Sequence, residues 1–439
     1  MTTPIDFLVI GGGEAAYCAA AIAASNGARV AMVELGASDR LDDTSQFGFT
    51  MSDVPNSVWR RLELQKYNLA LEPASAMTTL LPDNKNLSYY ASDQQTVEAL
   101  RAHGNGDDAF WSDFLSDMQL LAVDPAFRAL AAMEVRSEKN TDALRAETIA
   151  GLVGNAHDFL RSYFSDEKLL AHILAHVPSA NGVDSPGSAL AVPGLFNKTA
   201  WPQKVSGDVT LARAFRNAGE AADVDYTDAA IVSIEPRHRN RRTVTLATGD
   251  IYKARTIYIA SPDTALQLGI SASSSPLAST AFRRASLTLK INDTIDPPGG
   301  DRDALFQIVD DADDLQCAYE AASLGRLPET PPLRFRFVDH QTIVAQCMHC
   351  PTALAEDGVE RDWTSQDRQA LAMAMIARLE SRMPGLQQSI VERQFSLSPI
   401  GDVETSISVD DNEGIIVQPY WRDTIALTEE LVDRALGHD

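Results

Sequence analysis

The sequence predicts an α/β protein, and the order of four segments near its start carries that prediction. Residues 7–10 form a continuous apolar run, which is typical of a strand covered on both faces. Gly11, Gly12 and Gly13 interrupt the run, residues 15–26 form an alanine-rich helical segment, and residues 29–34 form a second apolar strand. This order indicates a right-handed βαβ unit with a parallel strand pair, as in Rossmann-like nucleotide-binding domains.

The glycine turn has the spacing of a dinucleotide-binding loop. Gly11, Gly13 and Ala16 fit the pattern G-x-G-x-x-G/A, in which the first glycine permits the tight turn and the second lets a pyrophosphate approach the backbone. The small third residue lets helix and strand pack closely, and the N–H groups at the helix N-terminus favour the phosphate charge. The candidate cofactor-binding residues of the turn are Gly11, Gly12, Gly13, Glu14, Ala15 and Ala16.

Two glutamates affect the interpretation of this turn as a dinucleotide-binding loop. Glu34 ends the second strand, where it is placed to accept hydrogen bonds from a ribose. Glu14 lies inside the turn, where a carboxylate would repel the pyrophosphate. Because strand, turn, helix, strand and terminal carboxylate occur together, the sequence predicts an FAD- or NAD(P)-binding domain.

Composition and charge exclude several classes of protein. The 439 residues are 45% hydrophobic and 22% charged, a globular composition that can bury a large core without metal or disulfide. The net charge of −24 argues against a nucleic acid partner and against electrostatic docking on a membrane. Four cysteines, the lack of a signal-like segment before the first strand and the lack of a long apolar stretch predict a cytoplasmic protein with no transmembrane segment.

The remaining chain divides into alternating helical and strand-rich stretches. Residues 37–90 look irregular, with short helical pieces around residues 57–67. Helices are predicted at 96–103, 109–121, 125–133, 148–175, 211–222, 364–382 and 424–436, and strands at 229–235, 242–246, 256–260 and 414–418, with strand-like alternation over 286–346. We expect a dinucleotide-binding domain from 1–75, 201–270 and 400–439, and an inserted mixed α+β substrate domain from 76–200 and 271–399.

Beyond the glycine turn, three segments resemble a known family. They are VPNSVWRRLELQKYNLALE at 54–72, VDSPGS at 183–188, and the stretch 207–263 that contains GDVTLARAF, AIVSIEP and VTLATGDIYKARTIYIASPD. Together they resemble the phytoene desaturase-related FAD oxidoreductases, specifically the pyridine nucleotide-disulfide oxidoreductase domain-containing subgroup. These belong to the larger glutathione-reductase and amine-oxidase type. The resemblance covers roughly residues 1–290.

The resemblance implies FAD as cofactor and three further contact residues. Ile231 would lie on the adenine side, and Ala260 and Ser261 would lie at a second contact with the flavin nucleotide. The implied activity is removal of hydride from an apolar or amine substrate, as a desaturase or an amine-oxidase-like enzyme. Such chemistry depends mainly on orienting a C–H bond toward the flavin, so no catalytic residue is nominated.

Two departures from the family pattern keep an alternative open. Where the family carries paired glycines beside the flavin, this chain has GASDRLDDTSQFG, and its closing glycine loop is replaced by QPYWRD at 418–423. The alternative is a non-catalytic flavoprotein-fold subunit that acts as a binding or assembly partner, so the ligand is either a small-molecule substrate or a protein. An NAD-only dehydrogenase is a weaker third hypothesis, and the oligomeric state stays open.

Two other motifs contain residue types that can carry chemistry. Cys347-Met348-His349-Cys350 lacks the further ligands of a zinc site and the helical context of a redox dithiol, so packing cysteines are expected. His172 and His176 lie four apart on a helix without the glutamate of a zinc protease, so a surface or capping pair is expected. No metal site, G-x-S-x-G elbow or P-loop is predicted.

Overall fold

A computed structural model describes the arrangement of most of the chain. The described residues are 2–35, 49–51, 54, 56–82, 86–123, 154–177, 182–196, 201–206, 210–260, 268, 282–292, 295–299, 301–356, 358–399, 415–417, 428–429, 432–433 and 435–437. Four features of the sequence analysis therefore lie outside the described residues. They are the predicted helix at 125–133, most of the predicted helix at 424–436, Ser261 and the segment 418–423.

The described strands form two seven-stranded sheets and two small ones. In chain order they are β1 (Thr2–Ile10), β2 (Val30–Glu34), β3 (Phe49–Met51), β4 (Ala70–Pro73), β5 (Ala76–Leu80), β6 (Asn86–Tyr90), β7 (Pro202–Ser206), β8 (Asp225–Asp228), β9 (Ile231–Ile234), β10 (Arg242–Leu246), β11 (Ile251–Ile259), β12 (Arg283–Ile291), β13 (Leu305–Ile308), β14 (Leu333–Phe337), β15 (Thr342–Cys350), β16 (Leu354–Glu356), β17 (Val359–Arg361), β18 (Ile390–Pro399) and β19 (Ile415–Val417).

Helices cover the faces of these sheets. The described α-helices are α1 (Glu14–Ser25), α2 (Asn56–Arg61), α3 (Asp93–His103), α4 (Asp108–Val123), α5 (Ala156–Arg161), α6 (Glu167–His176), α7 (Val192–Leu195), α8 (Leu211–Ala221), α9 (Ala312–Ser323), α10 (Ser365–Glu380) and α11 (Leu386–Ser389). Short 3₁₀ turns occupy Leu64–Tyr67 and Ser188–Ala191.

The first large sheet has the order β8-β2-β1-β11-β10-β9, with β19 also paired to β11. Strands β8, β2, β1, β11 and β19 run parallel, whereas β9 and β10 form an antiparallel hairpin with the start of β11. The strand-helix-strand unit at the start of the chain is thus confirmed. We call this sheet the cofactor sheet.

Both faces of the cofactor sheet are covered, which explains the continuous apolar run in β1. Phe7 and Val9 point into a cluster with the alanine-rich face of α1 and with α8. Leu8 and Ile10 point the other way, into a cluster with residues of β10 and β11. Burial on both sides leaves no position for a polar residue.

The second large sheet has the order β18-β12-β15-β14-β13-β5-β6. Its pairs are antiparallel except for β5 with β13. Because its strands come from 76–90 and 283–399, this sheet, which we call the substrate sheet, lies within the predicted substrate domain. The domain boundaries themselves stay a prediction.

Several sequence-based element assignments are wrong in detail. The described part of the predicted helix at 148–175 contains two helices, because Asp166 accepts a hydrogen bond from Lys168 N and begins a new helix. Asp107 stabilises the break between the two helices, because its carboxylate accepts hydrogen bonds from the N–H groups of Ser165 and Asp166. The strand-like stretch 286–346 contains helix α9, and the described residues of the irregular stretch 37–90 include the four strands β3 to β6.

The expectation of a surface or capping histidine pair is also wrong. His172 and His176 are each 2% exposed and face the substrate sheet. Thr79 Oγ1 on β5 lies 2.7 Å from His172 Nδ1 and 3.4 Å from His176 Nε2. Burial, followed by an electrostatic interaction with His103, lowers the pKa of His172 to about 3. Burial, followed by electrostatic interactions with His172 and Arg334, lowers the pKa of His176 well below its usual value. Both side chains are neutral inside the fold.

We expect these histidines to make stability depend on pH below neutrality. Between about pH 6.5 and pH 3 the unfolded chain binds protons at both positions and the folded chain does not, so stability falls as pH falls, by up to about 1.4 kcal/mol per histidine and pH unit. Urea unfolding between pH 7.5 and 5 should show a smaller loss for the double variant H172Q/H176Q than for the original protein. The exposed His340→Gln is the matched control, and equal slopes in all three proteins would contradict the assignment.

Candidate functional site

The glycine turn lies where the chain leaves β1, beside the end of β11. Gly11 has φ +126°, and a Cβ at this position would lie 2.7 Å from Ala260 Cβ at the end of β11. The Ala260 N–H donates to Ile10 O at 2.9 Å, and the Gly11 N–H donates to Val33 O on β2 at 3.0 Å. The first glycine of the motif is therefore required both by the backbone conformation and by the contact with the neighbouring strand.

The second glycine leaves the N-terminus of α1 open. Gly13 is the N-cap of α1 with φ +89°, and a Cβ there would meet nothing within 4 Å. Gly13 has no side chain that could cap this helix, and the first helical bond runs from Tyr17 N to Gly13 O at 3.1 Å. The N–H groups of the first turn therefore point out of the helix end without intrahelical partners, which is the arrangement that binds a phosphate.

The other residues of the turn divide between surface and core. Gly12 and Ala15 are half-buried, whereas Ala16 is fully buried against the cofactor sheet. Glu14 is half-buried and begins α1 with no hydrogen bond to its carboxyl group among the described residues. Burial raises the pKa of Glu14 to about 7, so a substantial fraction of this group is uncharged at neutral pH. The repulsion expected from the sequence is reduced accordingly.

Glu34 is held in place by two side chains that the sequence did not single out. It is 3% exposed at the end of β2. The Tyr17 hydroxyl donates to Glu34 Oε1 at 2.7 Å, and Arg216 Nε on α8 lies 3.6 Å from the same oxygen. No hydrogen bond to Glu34 Oε2 occurs within the part of the chain that the structure describes. One oxygen is therefore used by the protein, and the other is left for a hydroxyl donor.

Aromatic rings complete the environment of Glu34. The Arg216 guanidinium lies 4.9 Å from the centre of the Tyr226 ring, and the rings of Tyr17 and Tyr226 are 6.2 Å apart. The Tyr226 hydroxyl donates to Arg216 O at 3.3 Å. The only sequence signal for this cluster is a hydroxyl-bearing Tyr17 in an otherwise alanine-rich helical face.

The residues assigned by resemblance lie at the borders of the same sheet. Ile231 begins β9, three residues after Asp228, which pairs with Glu34 in the register of β2 and β8. Its side chain packs against the cluster that contains residues of β2. Ala260 contacts the turn through Gly11, as described, and Ser261 lies outside the described residues. The roles of these residues in binding stay predictions.

The cysteine motif has the packing role expected from the sequence. Cys347 and Cys350 lie on β15 and are fully buried in the core beside α10. The hydrogen bond with Cys347, together with burial, raises the pKa of the Cys350 thiol well above its usual value. Among the described residues no cluster of three histidine, cysteine or acidic side chains could hold a metal ion. Nor do they include a helix with the length and apolar character needed to cross a membrane.

Comparison with known proteins agrees with this geometry. Residues 6–105 match the family described as FAD binding domain. No curated protein matches the chain in sequence. The match begins four residues after the start of β1 and includes the whole unit from the glycine turn to Glu34.

Solved structures show the same fold over the full length. A triple mutant of putrescine oxidase has a TM-score of 0.55 at 11% identity, with 100% of both chains covered. A RAB GDI from Plasmodium falciparum has a TM-score of 0.58 at 8% identity, covering 100% of this chain and 98% of that one. A glycine oxidase from Geobacillus kaustophilus has a TM-score of 0.50 at 14% identity, covering 99% and 95%.

The chain therefore has the α/β fold of FAD-binding oxidoreductases, and FAD is the cofactor that this domain fits. Two observations of the structure support that fit. Gly13 places no side chain at the N-terminus of α1, and no described residue donates a hydrogen bond to Glu34 Oε2. An NAD-only enzyme receives no support from the family match.

We expect FAD affinity to depend on pH through Glu14. As pH rises through about 7, this carboxyl ionises beside the pyrophosphate, so the dissociation constant should increase, by at most about tenfold per pH unit. Titration of the apoprotein with FAD between pH 6 and 8.5, followed by flavin fluorescence, measures the effect. Glu14→Gln should bind with little pH dependence, and the exposed Glu98→Gln should behave like the original protein. A pH dependence that persists in Glu14→Gln would contradict this role.

Proposed function

We propose that this protein is an FAD-dependent oxidoreductase that removes hydride from a small organic substrate. The observation that carries the proposal is the combination of an open helix N-terminus at Gly13 with a buried, oriented carboxylate at Glu34. This pair supplies separate binding groups for the pyrophosphate and the ribose of one extended dinucleotide. The family match supports FAD over NAD as that dinucleotide.

The chain's own residues would act mainly by binding and orientation. The first-turn N–H groups of α1 would hold the pyrophosphate, with Gly11, Gly12, Gly13, Glu14, Ala15 and Ala16 forming the loop around it. Glu34 would accept a ribose hydroxyl on Oε2, while Tyr17 and Arg216 keep its other oxygen fixed. Ile231, Ala260 and Ser261 would contact the adenine side and the flavin side. Bound FAD supplies the hydride acceptor, so the protein need not contribute a conspicuous acid or base.

The proposal also includes a subgroup of the family, a type of reaction and a class of substrate. The segments at 54–72, 183–188 and 207–263 support a relation to the phytoene desaturase-related subgroup, with a desaturase or amine-oxidase-like reaction. The putrescine and glycine oxidases of the same fold are named for amine-bearing substrates, which favours such a substrate here. The substrate would enter between a dinucleotide domain (1–75, 201–270 and 400–439) and a substrate domain (76–200 and 271–399).

A second candidate is a non-catalytic subunit that binds a protein partner. The similar RAB GDI is named for a protein, so this fold is also found outside the oxidases. The acidic run near residues 39–43 and the QPYWRD segment replace glycines that the related family places beside the flavin. This hypothesis differs from the first in requiring no flavin reduction.

Flavin content decides between the two candidates. The purified protein should be yellow, with about one FAD released per chain on denaturation, and its flavin should be reduced by a substrate. Colourless protein that takes up no added FAD would contradict the oxidoreductase proposal and favour the scaffold. A flavin that is bound but never reduced would favour a scaffold that retains the cofactor.

The glycine turn provides a matched pair of variants. Gly13→Asp places a carboxylate at the open helix end and should abolish FAD binding. Gly27→Asp is the control, because Gly27 has a similar φ of +82°, open space around its Cβ and a position at the far end of α1. Because φ is positive at both positions, both substitutions should lower the thermal unfolding temperature by a similar amount. Only Gly13→Asp should lose bound FAD. Equal FAD content in the two would contradict the assigned binding site.

A further inference from the structure

The two edges of the substrate sheet differ in what lies beside them. At one edge, helix α3 contacts β6, and Thr96 Oγ1 accepts the Tyr90 N–H at 3.0 Å and donates to Tyr90 O at 3.3 Å. At the other edge, β18 pairs with β12, and no further described strand pairs with it. An edge strand presents N–H and C=O groups that can pair with another strand. The edge at β18 is therefore a candidate interaction surface.

Strand β18 is long for the edge of a sheet. It has ten residues, whereas an average strand has about five or six. Proteins commonly protect an edge with a short strand, a lysine, a proline or a bulge. In β18 the irregularity lies at the first residues, where Ile390 pairs with Ile291, and the proline is the last residue, Pro399. The stretch 392–398 between them contains no lysine or proline and pairs regularly with β12.

Backbone hydrogen bonds show which groups of β12 point toward β18. The Asn292 N–H donates to Ser389 O at 2.9 Å and so points toward β18. The Ile291 N–H points the other way, since it donates to Gln341 O at 2.8 Å. Backbone groups alternate in direction along a strand, so every second residue of β12 before Asn292 also points toward β18.

The same alternation assigns the backbone groups of β18. The residues of β18 that pair with those positions point their N–H and C=O groups toward β12; they are Glu392, Gln394 and Ser396. The residues that alternate with these point the same groups away from β12; they are Arg393, Phe395 and Leu397. We call the backbone groups of these three residues the free edge. None of the described residues forms a hydrogen bond with it.

Apolar side chains reach the free edge. Phe395 and Leu397 are half-buried and pack against the core beneath α10. Arg393 lies on the same face, where its Nη1 donates to Met373 Sδ on α10 at 3.1 Å. Val391, two residues earlier, is 64% exposed. A strand added at the free edge would therefore cover apolar surface as well as backbone groups.

The sequence of β18 is suited to pairing with itself. Two copies related by a two-fold axis have antiparallel edge strands, and each residue lies opposite the one equally far beyond the axis. With the axis at Gln394, no charged side chain lies opposite a like charge, and an apolar pair forms on each side. The opposing pairs are Arg393 with Phe395, Glu392 with Ser396, and Val391 with Leu397.

Other positions of the axis are less favourable. An axis at Arg393 places two guanidinium groups opposite each other, and an axis at Glu392 does the same with two carboxylates. Like charges directly opposite each other destabilise paired strands. An axis at Phe395 places Val391 opposite Pro399, which has no N–H to donate. The register centred on Gln394 avoids all three problems.

We propose that the free edge of β18 binds a second copy of this chain, with the two strands antiparallel about an axis at Gln394. Arg393 of each copy lies opposite Phe395 of the other, and both pairs exchange their N–H···O bonds. The two substrate sheets form one continuous sheet with both α10 helices on the same face. Because the contact uses the same surface on both copies, it closes as a dimer.

Charge and position are compatible with this contact. The chain carries a net charge of −24, which repels a second copy, but β18 contains one arginine and one glutamate and is neutral. Repulsion between exposed charges is limited to about 8 Å in physiological salt. The contact uses no residue of the cofactor sheet, so it does not depend on the proposed oxidoreductase function.

Sedimentation equilibrium of the purified full chain tests the association. The mass should rise from one chain to two as the concentration increases, and should not exceed two. A single chain at every concentration would overturn the proposal, and so would assemblies that keep growing.

Two substitutions at Arg393 test whether backbone groups carry the contact. Arg393→Pro removes an outward N–H without touching the bonds to β12, and should weaken dimerisation by about thirtyfold or more. Arg393→Gln loses the same charge but keeps the N–H, and should weaken it by no more than about threefold. Thermal unfolding of both variants checks that the fold is retained. Equal dimerisation constants in the two variants would contradict pairing through the free edge.

Disulfide formation tests the register independently of these variants. In a Cys317→Ser background, which removes the exposed cysteine, Gln394→Cys should crosslink two chains on oxidation. The two Cα atoms at Gln394 lie about 4.5 Å apart in the proposed pairing, within the range of a disulfide. Ser396→Cys is the matched control on the same strand, because its two copies lie about 14 Å apart. A crosslink through Ser396→Cys, or none through Gln394→Cys, would overturn the proposed pairing.

Discussion

The close approach of β1 and β11 at the glycine turn determines the geometry of the nucleotide end of this protein. Any side chain at Gly11 would meet Ala260 Cβ at 2.7 Å, so the chain can turn there only without a Cβ. The turn places the N-terminus of α1 at the carboxyl edge of the cofactor sheet, beside the end of β2. The N-terminus of α1 and Glu34 then lie at the same edge of the sheet because β1 and β2 are paired in parallel.

Two acidic residues lie at this edge of the cofactor sheet, and the protein accommodates them in different ways. Glu34 stays buried because Tyr17 donates a hydrogen bond to it and Arg216 lies beside the same oxygen. Glu14 has no such partner among the described residues, and its pKa rises instead. A carboxylate such as Glu34, with one oxygen held by the protein, can accept a hydrogen bond from a ribose on its other oxygen. A carboxyl group such as Glu14, which takes up a proton near neutral pH, can lie near a phosphate with less repulsion.

The sequence predicted the parts of this site that depend on local pattern. Continuous apolar strands, the glycine spacing and a terminal Glu34 all follow from adjacent residues. Arg216 could not be found this way, because its contact with Glu34 depends on how α8 packs against α1. The histidine pair was misjudged for the same reason: His172 and His176 are buried by the substrate sheet, whose nearest strand lies almost a hundred residues earlier in the chain. Strand register, which places Thr79 on β5 opposite Gln307 on β13, is equally invisible before the pairing is known.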